Sequence, residues 1–260
     1  MSAIKSPLKW VGGKNRAISQ LMKYVPNHVD TIAAPFIGGG SFELALAESG
    51  RRVFAYDADS RVANFWNVLL SKQNQLVSFC DNERHILKDA FNDPDREYYR
   101  WLDANHDLGT DVERAGKLWL LVKIKFNGNL RAKNGFNTKK QFSGERAIKT
   151  LMQDFPKMLT VQHQDWETTL LTHTDDFLFV DPPYLDTQDV YYRFHKEFDH
   201  IALRDHLYHR SQFILTYEDK GENSTIRELY KGFDIRNEEW LQTRKLSSGT
   251  VKEAIILPKR

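Results

Sequence analysis

At 260 residues the chain has room for one large domain, or one domain carrying a smaller insert, and for a sizeable buried core. A net charge of +2 with 28% charged residues excludes a polybasic or polyacidic protein and leaves partner choice to the distribution of the charge. The lone Cys80 excludes an internal disulfide and a thiolate zinc site, no apolar run reaches the ~18 residues of a membrane span, and MSAIKSPLKWVGGK lacks the apolar stretch of a signal peptide, so a cytoplasmic protein without a membrane partner is expected.

In chain order, WVGGK is the first feature. It fails as a phosphate loop, because Lys14 is followed by Asn15 and the earlier glycine is missing; by itself it is a turn with a surface lysine. Four apolar, strand-like runs then stand out: HVDTIAAPF (28–36), RRVFAYD (51–57), DFLFVD (176–181) and QFILTYE (212–218). Between the first two, GGGSFELALAES places Ser41 to cap a short helix carrying Phe42, Leu44, Ala45 and Leu46. Strand, glycine turn, helix, strand is the unit of a parallel sheet, whose central strands are covered on both faces and are therefore apolar throughout. DSRVANFWNVLLSKQNQLVSF follows as a helix, with Val62, Phe65, Trp66, Leu69 and Leu70 at helical spacing. The expected class is α/β, a doubly wound and mostly parallel sheet.

From residue 81 to 158 the alternation stops. Residues 81–113 are acid-rich, whereas 123–149 carry eight lysines and arginines against the single acid Glu145. Within the basic block, NLRAKNGFNTKKQF sets Asn134-Gly135 between two extended halves, and both central positions of a type I′ turn need positive φ. The expectation is a helical insert with a basic hairpin at 81–158, set into a sheet domain made of 1–80 and 159–260. A charge run of this kind is otherwise a solvated face.

Two places carry chemistry. PFIGGGSF puts Gly38, Gly39 and Gly40 between a strand and a helix, where a cofactor can approach the backbone, and the next strand ends on Asp57, a carboxylate able to take both hydroxyls of a ribose. At the end of the third apolar run stands Asp181-Pro182-Pro183-Tyr184. This places a carboxylate, a carbonyl and an aromatic face together, a set suited to a planar amine. The lone pair of an exocyclic amine is delocalised into its ring, and two acceptors on its hydrogens, Asp181 and the Pro182 carbonyl, favour pyramidal nitrogen. Tyr184 would stack on the base, a contact worth roughly 1–3 kcal/mol.

Taken together, LKWVGGK, APFIGGGSF, AYD, KFNGNLRAKNGFN, HQDW and FVDPPY resemble, in this order, the motifs of the Dam-like N6-adenine DNA methyltransferases, which use S-adenosyl-L-methionine. Ala34 stands where an acid is common ahead of the proline, and Trp166 where phenylalanine is common. The resemblance implies a Rossmann-like methyltransferase fold with a target-recognition insert. It implies that Trp10, Lys14, Phe36, Gly38, Asp57, Asp165 and Trp166 line the cofactor pocket, and that Asp181 reaches both the methionyl amino group and the target adenine, with Pro182 and Tyr184 as its catalytic companions. It implies double-stranded DNA as substrate, with the base flipped out, and no metal. The hairpin would read DNA, with Asn127, Arg131, Lys133, Asn134, Asn137, Lys139 and Lys140 as candidate DNA-binding residues: Arg131 would face base edges, with Asn129, Lys133 and Asn137 as rival readers, and Lys139 and Lys140 would face phosphates.

An RNA adenine methyltransferase and a catalytically inactive DNA-binding module are competing readings. A glutamine methyltransferase fits less well, since that class carries Asn in the tetrapeptide and lacks an insert here. Recognition sequence, oligomeric state and any restriction partner stay open.

Overall fold

The structure, a computed structural model, describes residues 4–10, 12–90, 97–125, 130, 144–185, 198–219, 225–244 and 247–259. Seven strands form one sheet: β1 (Thr31–Ala34), β2 (Arg52–Asp57), β3 (Leu159–His163), β4 (Phe177–Val180), β5 (Phe213–Glu218), β6 (Asp234–Arg244) and β7 (Ser247–Leu257). They lie in the order β3-β2-β1-β4-β5-β7-β6. The first five in that order pair in parallel, while β7 runs antiparallel to both β5 and β6. The four expected strands are β1, β2, β4 and β5, and the sheet is the doubly wound, mostly parallel Rossmann-like one.

β3 and β6 escaped the reading because both are edge strands. LTVQH is too short and too exposed to stand out, and DIRNEEWLQTR is mostly polar, with Asp234, Arg236 and Glu238 in its first half supplying the charges that discourage edge pairing. β7 mixes a polar half with the apolar AIIL and gives no clean period.

The described helices are α1 (Ile18–Leu21), α2 (Ser41–Glu48), α3 (Ser60–Ser71), α4 (Gln73–Ala90), α5 (Glu97–Asn105), α6 (Asp111–Ile124), α7 (Glu145–Leu151), α8 (Trp166–Thr172), α9 (His200–Tyr208) and α10 (Thr225–Leu229). The single helix expected after β2 breaks at Lys72, whose φ of −132° leaves the helical region, so it becomes α3 and α4. The acid-rich block is helical, and Thr110 and Glu113 start α6 with a reciprocal capping box. Residue 81 falls inside α4, and Leu118 and Leu121 of α6 share one apolar cluster with Ile32 and Val53 of the sheet. The hairpin expected at 131–140 lies outside the described residues.

Strand alternation divides the core in two. Ile32, Phe177, Phe179, Ile214 and Ile255 face the side of α2, α3 and α6, whereas Ala33, Leu178, Val180, Phe213, Leu215 and Ile256 face the side of α8 and α9. Side chains at 181, 216 and 253 continue the first set, so the pleat itself delivers them to one face.

Ser41 does not cap α2; it is the first helical residue. Gly40 takes the N-cap position at φ +63°, without a side-chain bond. A Cβ there would stand 2.4 Å from the Trp66 ring, so backbone and packing both demand glycine. Gly40→Ala should lower the unfolding free energy by about 2–5 kcal/mol, combining the left-handed backbone penalty with overpacking. Urea denaturation checks this, and a loss below about 0.5 kcal/mol, the range of a neutral surface change, would contradict it.

Candidate active site

At the point where strand order reverses, between β1 and β4, the carboxyl ends of β1, β2 and β4 enclose a cleft with about 570 Å³ of free space, mouth included. Trp10, Lys14, Phe36, Gly38, Asp57 and Asp181 all line it. Six of the expected site residues, drawn from four separate stretches of chain, thus share one cavity.

Its electrostatic centre is Lys14. Far from being a surface lysine, it is 4% exposed. Its Nζ donates to Asp181 Oδ2 at 2.7 Å and to the Gly12 carbonyl at 2.9 Å, and Glu253 Oε2 lies 3.8 Å away. Burial alone would push the ammonium down, but Asp181 and Glu253 outweigh it and hold its pKa above the ordinary value. Asp181, just past the end of β4, also accepts from Thr216 Oγ1 at 2.6 Å and from the Tyr184 hydroxyl at 3.4 Å. Pro182 is buried. The Tyr184 ring packs against Tyr217 with centroids 5.7 Å apart, and Lys14 Nζ sits 5.1 Å over its face.

The glycine turn is held from three sides. The Gly38 N–H donates to Asp57 Oδ2 and the Asp59 N–H to Asp57 Oδ1, each at 2.9 Å, and Trp66 Nε1 donates to the Gly38 carbonyl at 3.0 Å. A Cβ on Gly38 would come 2.9 Å from the Trp10 ring. Each Asp57 oxygen keeps a lone pair for an incoming hydroxyl.

Asp165 and Trp166 stand apart from this cleft. Asp165 is an exposed N-cap of α8, and its carboxylate is occupied by the Thr168 N–H at 2.8 Å and Thr168 Oγ1 at 2.7 Å. Those bonds hold its pKa below the usual range. Trp166 joins the site through one intermediary: its ring meets Phe198 at 5.6 Å, and Phe198 meets Phe36 at 5.7 Å. The DNA candidates Asn127, Arg131, Lys133, Asn134, Asn137, Lys139 and Lys140 lie outside the described residues.

Three members of the site carried no motif: Thr216, Glu43 and Glu253. Each is a polar residue in an apolar run, FILTYE, SFELAL and EAIIL, and that isolation was the signal available. Thr216 and Glu253 are 0% and 1% exposed, and Glu43, on the first turn of α2, is 2% exposed.

A family model described as D12 class N6 adenine-specific DNA methyltransferase matches residues 10–244. The chain belongs to that family. It is 26% identical to the type II methyltransferase M1.LlaDCHI of Lactococcus lactis subsp. cremoris over 95% of this chain and 93% of the relative. It is also 26% identical to the type II methyltransferase M.CviBI of Paramecium bursaria Chlorella virus NC1A, over 97% and 96% respectively. A DNA adenine methylase of Haemophilus influenzae is 25% identical over 70% of this chain and 64% of the relative. The matched span of this methyltransferase holds every lining residue named above, while Glu253 lies beyond it. Among its described residues no helix is long and apolar enough to cross a membrane.

Burial raises three carboxyls of the methyltransferase, Glu43 to about 8 and Asp57 and Glu253 to about 7. In this window the folded chain keeps protons that the unfolded chain has released, so stability declines as pH rises from the ordinary carboxylate range, by roughly 1.4 kcal/mol per pH unit for each such group up to its own raised value, about 7 for Asp57 and Glu253 and about 8 for Glu43. Glu43→Gln removes one of them. Urea unfolding of parent and variant at about pH 6 and pH 8 should show the smaller decline in the variant, and equal declines would contradict the assignment.

Proposed function

We propose that this methyltransferase moves a methyl group from S-adenosyl-L-methionine to N6 of an adenine flipped out of duplex DNA. It would work in the cytoplasm, where the lone Cys80 meets a reducing milieu. The observation that carries the reading is the shared cleft: the ribose acid Asp57 and the amine acceptor Asp181 open into one cavity, as transfer between a nucleoside cofactor and a nucleobase requires.

The cleft suits that cofactor. Asp57, fixed by two backbone N–H groups, would take the ribose hydroxyls; Phe36 and Trp10 supply apolar walls; Gly38 lets the cofactor lie against the backbone. When bound, the cofactor supplies a sulfonium methyl that is already primed to leave. The protein's part is then positioning. Asp181 and the Pro182 carbonyl accept the two amine hydrogens and aim the nitrogen lone pair; Thr216 and Lys14 fix the carboxylate; Tyr184 walls the base pocket. The insert at 81–158, with its basic segment, would grip and read the duplex. Arg131 would face base edges, and Lys139 and Lys140 phosphates.

Because Lys14 is buried against Asp181, truncation to alanine would remove both the charge and the acceptor oxygen it bonds, whereas Asp181→Asn keeps an oxygen in that place at some cost in stability, so the cleaner variant is Asp181→Asn. It should keep the fold by circular dichroism while lowering methyl transfer to duplex DNA at least about a hundredfold, roughly 2.7 kcal/mol. Activity within about tenfold of the parent would overturn the role. Asp57→Ala should weaken cofactor binding in calorimetry by roughly 1.5–3 kcal/mol, the worth of hydrogen bonds to a charged acceptor, and an unchanged dissociation constant would remove Asp57 from the ribose.

A further inference from the structure

β7 runs antiparallel to β5, so Glu253 reaches the same edge of the sheet as Asp181, on the face set by Ile255, Ile214 and Phe179. It is 1% exposed, and its Oε2 has no hydrogen-bond donor. The Tyr184 hydroxyl bonds the carboxyl, and Lys14 Nζ stands 3.8 Å from Oε2. The same ammonium is 2.7 Å from Asp181 Oδ2, so one cation lies between two carboxylates but bonds only one of them. A buried acceptor left without a donor is unfavourable, and a small movement of Lys14 would satisfy it.

The two carboxylates have different tasks. Asp181 Oδ1 already accepts from Thr216 at 2.6 Å, and Oδ2, the oxygen left for a further donor, holds Lys14 at 2.7 Å. An ammonium on that oxygen lowers its strength as an acceptor. We infer that Glu253 is a positioning residue of the methyl-transfer site, whose ionised carboxylate draws Lys14 off Asp181 and frees Oδ2 to accept an N–H of the adenine amine. This rests on the assignment of Asp181 to the reacting amine.

Protonation of Glu253 would cancel the pull. Burial raises its pKa to about 7, Lys14 lowers it, and Asp181 and Glu218 raise it further. The charged and titratable groups around it are Lys14 from the loop before α1, Asp181 and Tyr184 past β4 and Glu218 of β5, while Glu43 of α2 acts on Lys14. Glu238 of β6 is its register partner and is bonded by the Tyr24 hydroxyl at 2.6 Å.

The test is single-turnover methyl transfer to duplex DNA at saturating S-adenosyl-L-methionine, from about pH 6 to about pH 8.5, with the full chain. The parent rate should rise across this range. Glu253→Gln, similar in shape and uncharged, should be about tenfold slower at the alkaline end and show a flatter profile, with its cofactor dissociation constant changed less than about threefold. Glu253→Asp, which keeps the charge, should restore the rise. A Gln variant with the parent's rate and rise overturns the inference, and so does a uniform loss with the rise retained, because the inflection would then belong to Glu43 or Asp57. A parent profile that is flat or falling overturns it without any variant. Asp181→Asn run alongside separates the failures: if it is active, the assignment of the amine acceptor fails; if it is inactive while Glu253→Gln behaves as the parent, this inference alone fails.

Discussion

One buried ammonium organises this protein. Lys14 is enclosed by the sheet edge, and a lysine so far from water stays charged only if carboxylates face it. Asp181 and Glu253 do so, from strands that run in opposite directions. The relation holds in reverse as well. Two carboxylates this close, one of them fully buried, would repel one another and favour taking up a proton without a cation between them. The N-terminal loop, the end of β4 and the middle of β7 are therefore held together by charge at the place where the strand order opens a cleft.

The pleat explains why the cleft has this composition. Period-two alternation sends Phe179, Ile214 and Ile255 into the core beneath α2, and the next positions on the same face, Asp181, Thr216 and Glu253, emerge at the edge as polar groups. On the other side of β1, β2 ends on Asp57, which ties down Gly38 and so shapes the other half of the cavity. The Asp57 half and the Asp181 half of the cavity are thus two outcomes of a single parallel sheet, joined at its reversal point.

Much of this was legible in the sequence. The four central strands are unbroken apolar runs, and a strand buried on both faces can hardly be anything else; Asp57, Gly38 and Asp181 follow at their ends and were found with them. What was missed is physically of another kind. β3 and β6 are edge strands: LTVQH alternates over only five residues, too few to stand out, and DIRNEEWLQTR has no clean alternation in its sequence. The break at Lys72 is a single backbone angle inside a continuous apolar pattern. Gly40, not Ser41, caps α2, and Trp66, a contact 26 positions away that no local rule contains, leaves no room for a side chain there. Lys14 looks like a surface residue until its two carboxylates are in place. Glu253 is invisible for the same reason, since its meaning depends on β7 running antiparallel to the rest.

The most direct measurement of the central claim is a double-mutant cycle on stability, using Lys14→Met, Asp181→Asn and the pair together, by urea unfolding at neutral pH. Breaking a buried ion pair from one side strands the other charge at a loss of about 3–5 kcal/mol, whereas removing both relieves it. The two single changes should therefore add to far more than the double change, with a coupling of at least about 2 kcal/mol. Additivity within about 0.5 kcal/mol would mean that Lys14 and Asp181 do not sense each other, and the site would not be built as described.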